Sequence, residues 1–427
     1  MITMTVARRS MLQRFGLALL PYALVPLVGA VQWLPYPQAD YADTGADAAA
    51  IVVPLLAVIG LGEMRPRTLV GWLAVAAILC FGLGWHWQYS AHPIKPLNRI
   101  FGEVTLMFTL AGLLGLGHCL VAAADVDRRW IGRYETCFDV ATLLGVRALL
   151  VLLLFVLAVA SLSSLGMVVL ILAPVLPALT LAASAAFPGI ARRLRDLLLV
   201  LLNWFAAPAL LVASLVLLAV SLCQGWRPRW VAGDAETYLL AALVIVILIA
   251  SLSGPTGHPV GRFASVLRVF RIALVLVLLA ALAIAAEDLA AAWRRGPVGA
   301  RTISLTGWWG WAAFCAAGYV VCAARSGLAM RGLPLLHIAT VLLGLLLATA
   351  MLTPLADPDR LAVAWRVPPL EAGATPPYAF DYGYLGMSGG YGYAALKRLA
   401  TLRGGPNADE IARRAKEALK EWFPYDP

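Results

Sequence analysis

From Ala148 to Ala191 the chain carries no charged side chain, and this run constrains the fold more than any other feature. A membrane-spanning helix needs about 20 apolar residues, so the run is long enough to cross a bilayer twice, with a turn expected at Ser164, Leu165 and Gly166. A soluble domain would have to hide such a run behind solvated faces that it lacks. Lipid accepts it, provided every backbone hydrogen bond closes inside a helix. The expected fold is therefore all-α, a polytopic transmembrane helical bundle.

Composition agrees with that reading and removes several function classes. Charged residues are 13% of the chain, where soluble domains hold about 25%. Hydrophobic residues are 62%, and the mean hydropathy is +0.84, which excludes a soluble enzyme. The net charge of +10 does not indicate nucleic acid, because Lys and Arg stand in short clusters between apolar runs rather than on one exposed face. Membrane lipid is the partner expected for such clusters, with basic loops held at the cytoplasmic surface. The six cysteines show no CxxC and no metal-ligand spacing, so neither a disulfide framework nor a metal site is expected.

Dividing the chain by its apolar runs gives about eleven spans over residues 1–352 and a tail over 353–427. The first run, Phe15 to Val31 behind Arg8, Arg9 and Arg14, reads as an uncleaved helix containing Pro21 and Pro26. It also fits a signal peptide ending at Val28-Gly29-Ala30. Asp40, Asp43 and Asp47 suit the outer side, and Arg65 with Arg67 returns the chain to the cytoplasm. Continued alternation leaves the N-terminus cytoplasmic and the C-terminus extracytoplasmic. The third span is expected over 69–85, with His86 and His92 solvated in the loop beyond it. Residues 125–139 predict an interfacial amphipathic helix, because Trp130, Tyr134 and Phe138 recur at helical spacing. The ninth span is expected to end near Ala286, with the charges from Glu287 to Arg301 along the outer surface.

Ionisable and helix-breaking residues at membrane depth mark the candidate functional positions. His118 lies in the fourth span, where an ionisable side chain must find a partner or stay neutral. Asn203 and Pro208 lie in the seventh span, and Pro174 with Pro177 interrupts the sixth. Prolines in a membrane helix free backbone carbonyls, which transporters use to bind substrate near the midplane. No Walker, HExxH or GxSxG pattern stands in the chain, so no catalytic residue and no cofactor is expected. Gly383, Gly386, Gly389, Gly390 and Gly392 lack the buried strand and Gly-Lys-Ser/Thr ending of a phosphate loop, and they read as tight turns. Asp357, Asp359 and Asp381 read as solvated helix caps.

The tail is balanced in charge, with Pro and Gly in its first half and helical periodicity in its second. A helix is expected over 391–403, stopped by Gly404-Gly405-Pro406. Asn407 then offers an N-cap, with Glu410 completing a capping box. Ile411, Ala415, Ala418 and Trp422 form the apolar stripe of a second helix, giving an αα-hairpin too small to fold alone. It should dock on the membrane domain or on a partner, with Tyr382, Tyr391, Tyr393 and Trp422 as the candidate docking residues.

The segments Asp357-Pro358-Asp359-Arg360, Tyr378 to Tyr382 and Gly389 to Leu399 carry a resemblance. In these the tail resembles the end of a family of bacterial polytopic membrane proteins catalogued as domain of unknown function 4153. The seventh span from Pro208 and the segment from Trp293 to Gly296 fit the same pattern more loosely. The resemblance implies a bacterial inner-membrane location and brings no established activity. Two functions follow as expectations. One is a non-enzymatic envelope accessory or scaffold whose tail docks on another envelope protein. The other is a permease for a small or lipid-like cargo, using the proline-broken spans.

Overall fold

The computed structural model describes residues 43–60, 63–91, 96–162, 188–213, 235–254, 264–294 and 296–423. Every described element is helical. In chain order they are α1 (Asp43–Gly60), α2 (Pro66–Ala91), α3 (Pro96–Asp127), α4 (Tyr134–Leu162) and α5 (Pro188–Leu201). A π-turn over Leu202–Ala206 continues α5. There follow α6 (Ala235–Ser253), α7 (Ala264–Arg294), α8 (Ala300–Ser326), a 3-10 turn at Gly327–Ala329 and α9 (Leu333–Met351). The tail holds α10 (Pro358–Glu371), α11 (Tyr382–Met387), α12 (Gly389–Ala400) and α13 (Ala408–Trp422).

Among the described residues, seven helices are long and apolar enough to cross a membrane. They are α2, the last part of α3 from Thr109, the helix Arg192–Ala213 that contains the π-turn, and α6 to α9. The expected first span, Pro174 and Pro177 of the sixth, and the turn at Ser164 to Gly166 lie outside the described residues.

The helices alternate in direction, which gives the bundle two distinct ends. At one end Arg65 pairs with Asp125, Arg195 with Asp139, and Tyr134 meets His337, so the starts of α2, α4, α5 and α9 gather with the end of α3. Arg271 at the start of α7 reaches Ser253 at the end of α6 and the carbonyl of Ala329 beyond α8. This is the arginine end. At the other end the tail packs on the last turns of α2, and on the turn between α7 and α8.

Among the described residues, two large apolar cores lie between these ends. α1, α2 and α3 share one, built on Val52, Leu56, Leu83, Leu110 and Leu114. α6, α7 and α8 share the other, around Ile245, Ile249, Leu274, Leu278 and Tyr319. α9 serves both, since Leu333 and Leu336 belong to the second core while Leu345, Ala348 and Leu352 pack against the first. The tail has a core of its own, in which Val367, Leu370, Leu385, Leu396, Leu399, Ile411 and Ala415 are buried.

Several expectations are corrected here. α2 does not end at Trp85 but continues to Ala91, so His86 lies inside a helix and is only 8% exposed. Residues 125–139 form no interfacial helix: α3 runs on to Asp127, the chain turns, and α4 starts at Tyr134. That turn is closed by Gly132, where a Cβ would stand 2.6 Å from the Cβ of Ala123. The helix expected to end near Ala286 continues to Arg294, so Glu287 to Arg294 extend α7 instead of forming a separate segment. At 1.5 Å per residue, α7 is about 46 Å long, well beyond a hydrocarbon core of about 30 Å.

The tail also departs from its expected capping. Asn407 sits in the left-handed region at φ 58° and makes no side-chain cap. Glu410 instead accepts from Arg413 and Arg414, as acids in the first turn of a helix commonly do with basic residues one turn on.

Candidate functional site

Polar side chains buried in an apolar bundle are costly unless paired, so they are where function is sought first. One such group among the described residues lies at the arginine end, where five helices converge. Arg271 of α7 is fully buried. Its Nη1 donates to Ser253 Oγ of α6 at 3.5 Å, and its Nη2 to the Ala329 carbonyl at 3.3 Å. Beside it, His337 Nδ1 of α9 meets the Tyr134 hydroxyl of α4 at 3.1 Å. The Tyr319 ring of α8 packs edge-on against His337, with centroids 5.8 Å apart. The Tyr319 hydroxyl and His337 Nε2 have no hydrogen-bond partner. The sequence alone places Arg271 with Arg262 and Arg268 as a charge flanking the membrane, and His337 near the inner end of the last span. Helical packing turned Arg271 inward.

His118 belongs to a second group. It is fully buried, and neither ring nitrogen has a hydrogen-bond partner. Gly60 admits it: a Cβ there would stand 3.1 Å from His118 Cε1. Arg147 of α4, buried, pairs with Glu63 at 2.6 Å close by. Arg147 and Asp139 stand two helical turns apart in the sequence, too far for an adjacent pair. Asp139 instead binds Arg195 at 3.0 Å, and the true partner of Arg147 comes from the turn before α2.

Asn203 and Pro208 meet in a third place. A proline removes a backbone donor and clashes with the carbonyl four residues earlier, and a π-turn relieves both. The π-turn over Leu202–Ala206 lies just before Pro208 and carries Asn203. Asn203 Oδ1 accepts from Ser251 Oγ of α6 at 2.9 Å, so the side chain ties two helices together. A cleft of about 660 Å³ opens at the arginine end between α3 and α9, and neither His118 nor Asn203 lines it.

The fourth place is the seam under the tail. Asp357 caps α10 by accepting from the amides of Asp359 and Arg360. It is also buried, and His86 Nε2 lies 2.8 Å from its Oδ2, so it is no solvated cap. Tyr391 of α12 packs edge-on against Tyr89 of α2, with centroids 5.3 Å apart. Gly390 brings α12 so close to α2 that a Cβ would overlap the Tyr89 carbonyl oxygen. On the other side, Arg366 donates to the carbonyls of Val298 at 2.9 Å and Pro297 at 2.8 Å. Its guanidinium also lies 3.6 Å from the centre of the Tyr384 ring, and the Tyr384 hydroxyl accepts from the Ala300 amide at 2.9 Å.

This seam changes the electrostatics of the tail. Burial, followed by the neighbouring Asp357, raises Asp359 to about 6. Burial likewise raises Tyr391 to about 12, with Asp357 and Tyr89 adding to the effect. Glu410, on the exposed face of α13, is lowered to about 2 by hydrogen bonds from Arg413 and Arg414.

The four aromatic residues expected to dock a partner are all engaged within the chain. Tyr382 is buried against Phe380, Tyr391 lies in the seam, Tyr393 stacks on Phe423 and Trp422 covers Gly386. Within the described part of the tail, the large apolar side chains that remain exposed are Leu355, Trp365, Tyr378 and Met387.

The chain was compared with models of protein families, with curated proteins and with solved structures. It matches none of them.

Proposed function

We propose that this chain is a non-enzymatic scaffold of a bacterial inner membrane, a bundle of about eleven spans that presents its tail to a second envelope protein. The membrane class rests on the apolar helices. The bacterial location rests on the resemblance of the tail to the family named above. In this reading the arginine end faces the cytoplasm, because Arg65, Arg67, Arg128, Arg129, Arg192, Arg193, Arg325 and Arg331 flank the helix ends there, as the positive-inside rule favours. The tail, residues 353–427, then lies outside the cytoplasm, with α12 and α13 as its hairpin.

The observation that carries the proposal is the double attachment of the tail. It is held to α2 by His86 and Asp357, and to the α7–α8 turn by Arg366 and Tyr384. A flexible tether would need neither anchor. A platform that holds a surface in one orientation needs both. The tail so held exposes Leu355, Trp365, Tyr378 and Met387, at 76%, 61%, 76% and 57%. Aromatic and Met side chains of this kind are enriched at protein interfaces.

Photo-crosslinking in intact cells from positions 365, 378 and 387 tests the proposal. One envelope protein should be captured from all three positions, and not from position 417 on the opposite charged face of α13. Capture of nothing, or of the same mixture from every position, would refute it.

The buried group around Arg271, Tyr319 and His337 favours a second reading, a permease whose path enters from the arginine end. Under that reading, solute flux into reconstituted vesicles would fall when Tyr319→Phe and His337→Leu are introduced. The scaffold reading expects no flux in the unmodified protein.

A further inference from the structure

The cleft at the arginine end has two kinds of wall. Leu120 and Val121 of α3 and Leu342 of α9 form an apolar side that faces lipid, with Leu342 42% exposed. Arg65, Arg128 and Arg129 form a basic rim, and Trp130 stands beside them fully exposed. Asp125 is the acid in the lining, so three arginines against one aspartate leave an excess of two positive charges.

The rim is built rather than loose. Arg65 Nε donates to Asp125 Oδ1 at 2.7 Å, its backbone amide donates to Oδ2 at 2.8 Å, and Thr68 Oγ1 also donates to Oδ1. The turn that carries Arg128, Arg129 and Trp130 is fixed from behind. Arg128 takes a left-handed φ of 53°, and the Arg129 amide donates to the Ala124 carbonyl at 3.0 Å. Asp127 accepts from the Arg133 amide and from Thr136 Oγ1, and Gly132 lies against Ala123. A non-glycine residue held at positive φ costs energy, and here it directs two guanidiniums and an indole to one side.

We propose that this cleft binds an anionic phospholipid, with the phosphate on Arg128, Arg129 and Arg65 and an acyl chain along Leu120, Val121 and Leu342. Charge complementarity selects the headgroup, since arginine forks match phosphate oxygens. The apolar wall selects a lipid over a free anion, and Trp130 marks the headgroup level, where indoles concentrate. The proposal is independent of what the tail docks.

The test uses the purified full-length protein, delipidated and titrated with phosphatidylglycerol or phosphatidylcholine of equal chain length, with bound lipid read by native mass spectrometry. Each arginine near an anionic surface contributes roughly a five-fold preference, so Arg128 and Arg129 together should favour phosphatidylglycerol by up to about 30-fold. Arg128→Asn with Arg129→Gln should bring that ratio close to one, and Asn tolerates the left-handed φ of the first position. Leu342→Gln should weaken both lipids alike. Raising the salt concentration should lower the preference in the unmodified protein, a reading that needs no variant to fold. Equal retention of the two lipids by the unmodified protein would overturn the proposal, as would an unchanged ratio in the folded double variant. Displacement by glycerol phosphate as effective as by the whole lipid would show an anion site instead.

Discussion

His86 and Asp357 are the residues on which the tail attachment turns. Each is buried, and each meets the other across 271 positions of sequence. Removing His86 leaves Asp357 Oδ2 desolvated without its side-chain partner, while Oδ1 keeps its two amide donors. His86→Ala should therefore destabilise the seam by about 2–4 kcal/mol. The measurement is limited proteolysis of the tail in mild detergent, where cleavage near residue 355 should speed up; an unchanged cleavage rate would remove His86 from its role. Asp359 gives a pH dependence of opposite sign to that of a paired carboxylate. Its acidity is weakened in the folded state, to about 6 from an ordinary 3.8. The folded tail therefore bears no penalty from this group below pH 3.8, acquires it as pH rises toward 6, and keeps it in full above. Asp359→Asn should stabilise the tail by on the order of 2 kcal/mol at pH 8, with the gain shrinking toward pH 4. Thermal melts of the two proteins across that range decide it.

At the scale of elements, the glycines of the tail divide by what surrounds them. A Cβ at Gly390 would overlap the backbone of Tyr89, and backbone cannot swing aside as a side chain can. A Cβ at Gly404 meets nothing within 4 Å. Gly390→Ala should therefore push α12 off α2 and cost about 1–3 kcal/mol, as overpacking does. Gly404→Ala should stay within about 0.5 kcal/mol. Equal effects in chemical denaturation would mean that the close approach of α12 to α2 is not what holds the tail. The same division explains what the sequence disclosed about these glycines. Gly389 comes nearest to the reading as a turn residue, since it starts α12 at φ 55° just after the chain leaves α11 at Ser388. Gly386 and Gly390 serve contact instead, against Trp422 and Tyr89, and no local pattern distinguishes the two uses.

At the scale of the whole molecule, the alternation of helix direction separates position 130, at the arginine end, from position 355, under the tail. Both side chains are exposed, and four of the five described cysteines are buried; the unmodified protein, labelled alongside, supplies the background. In intact cells a membrane-impermeant maleimide should label Leu355→Cys in a bacterial host with a permeable outer membrane. It should label Trp130→Cys only after the inner membrane is opened. Labelling of both from the same side would show that the chain does not separate these ends across a bilayer.

The sequence by itself determined the membrane class, the helical content and the positions of most spans from α6 to α9. It did so because lipid demands long apolar segments with closed backbone hydrogen bonds, and such segments are legible one at a time. It also exposed His118, Asn203 and Pro208 as unusual, since a polar or helix-breaking residue stands out in an apolar run. Which groups these residues meet was decided only by the tertiary structure. Arg147 found Glu63, Asn203 found Ser251, and Arg271 turned inward to Ser253 and the carbonyl of Ala329. A helix shows its period in sequence but not the rotation at which it packs, and that rotation decides whether a side chain faces lipid or a neighbour. The seam between tail and bundle was invisible for the same reason: its hydrogen bonds join residues from 68 to 271 positions apart, and only folding brings them within reach.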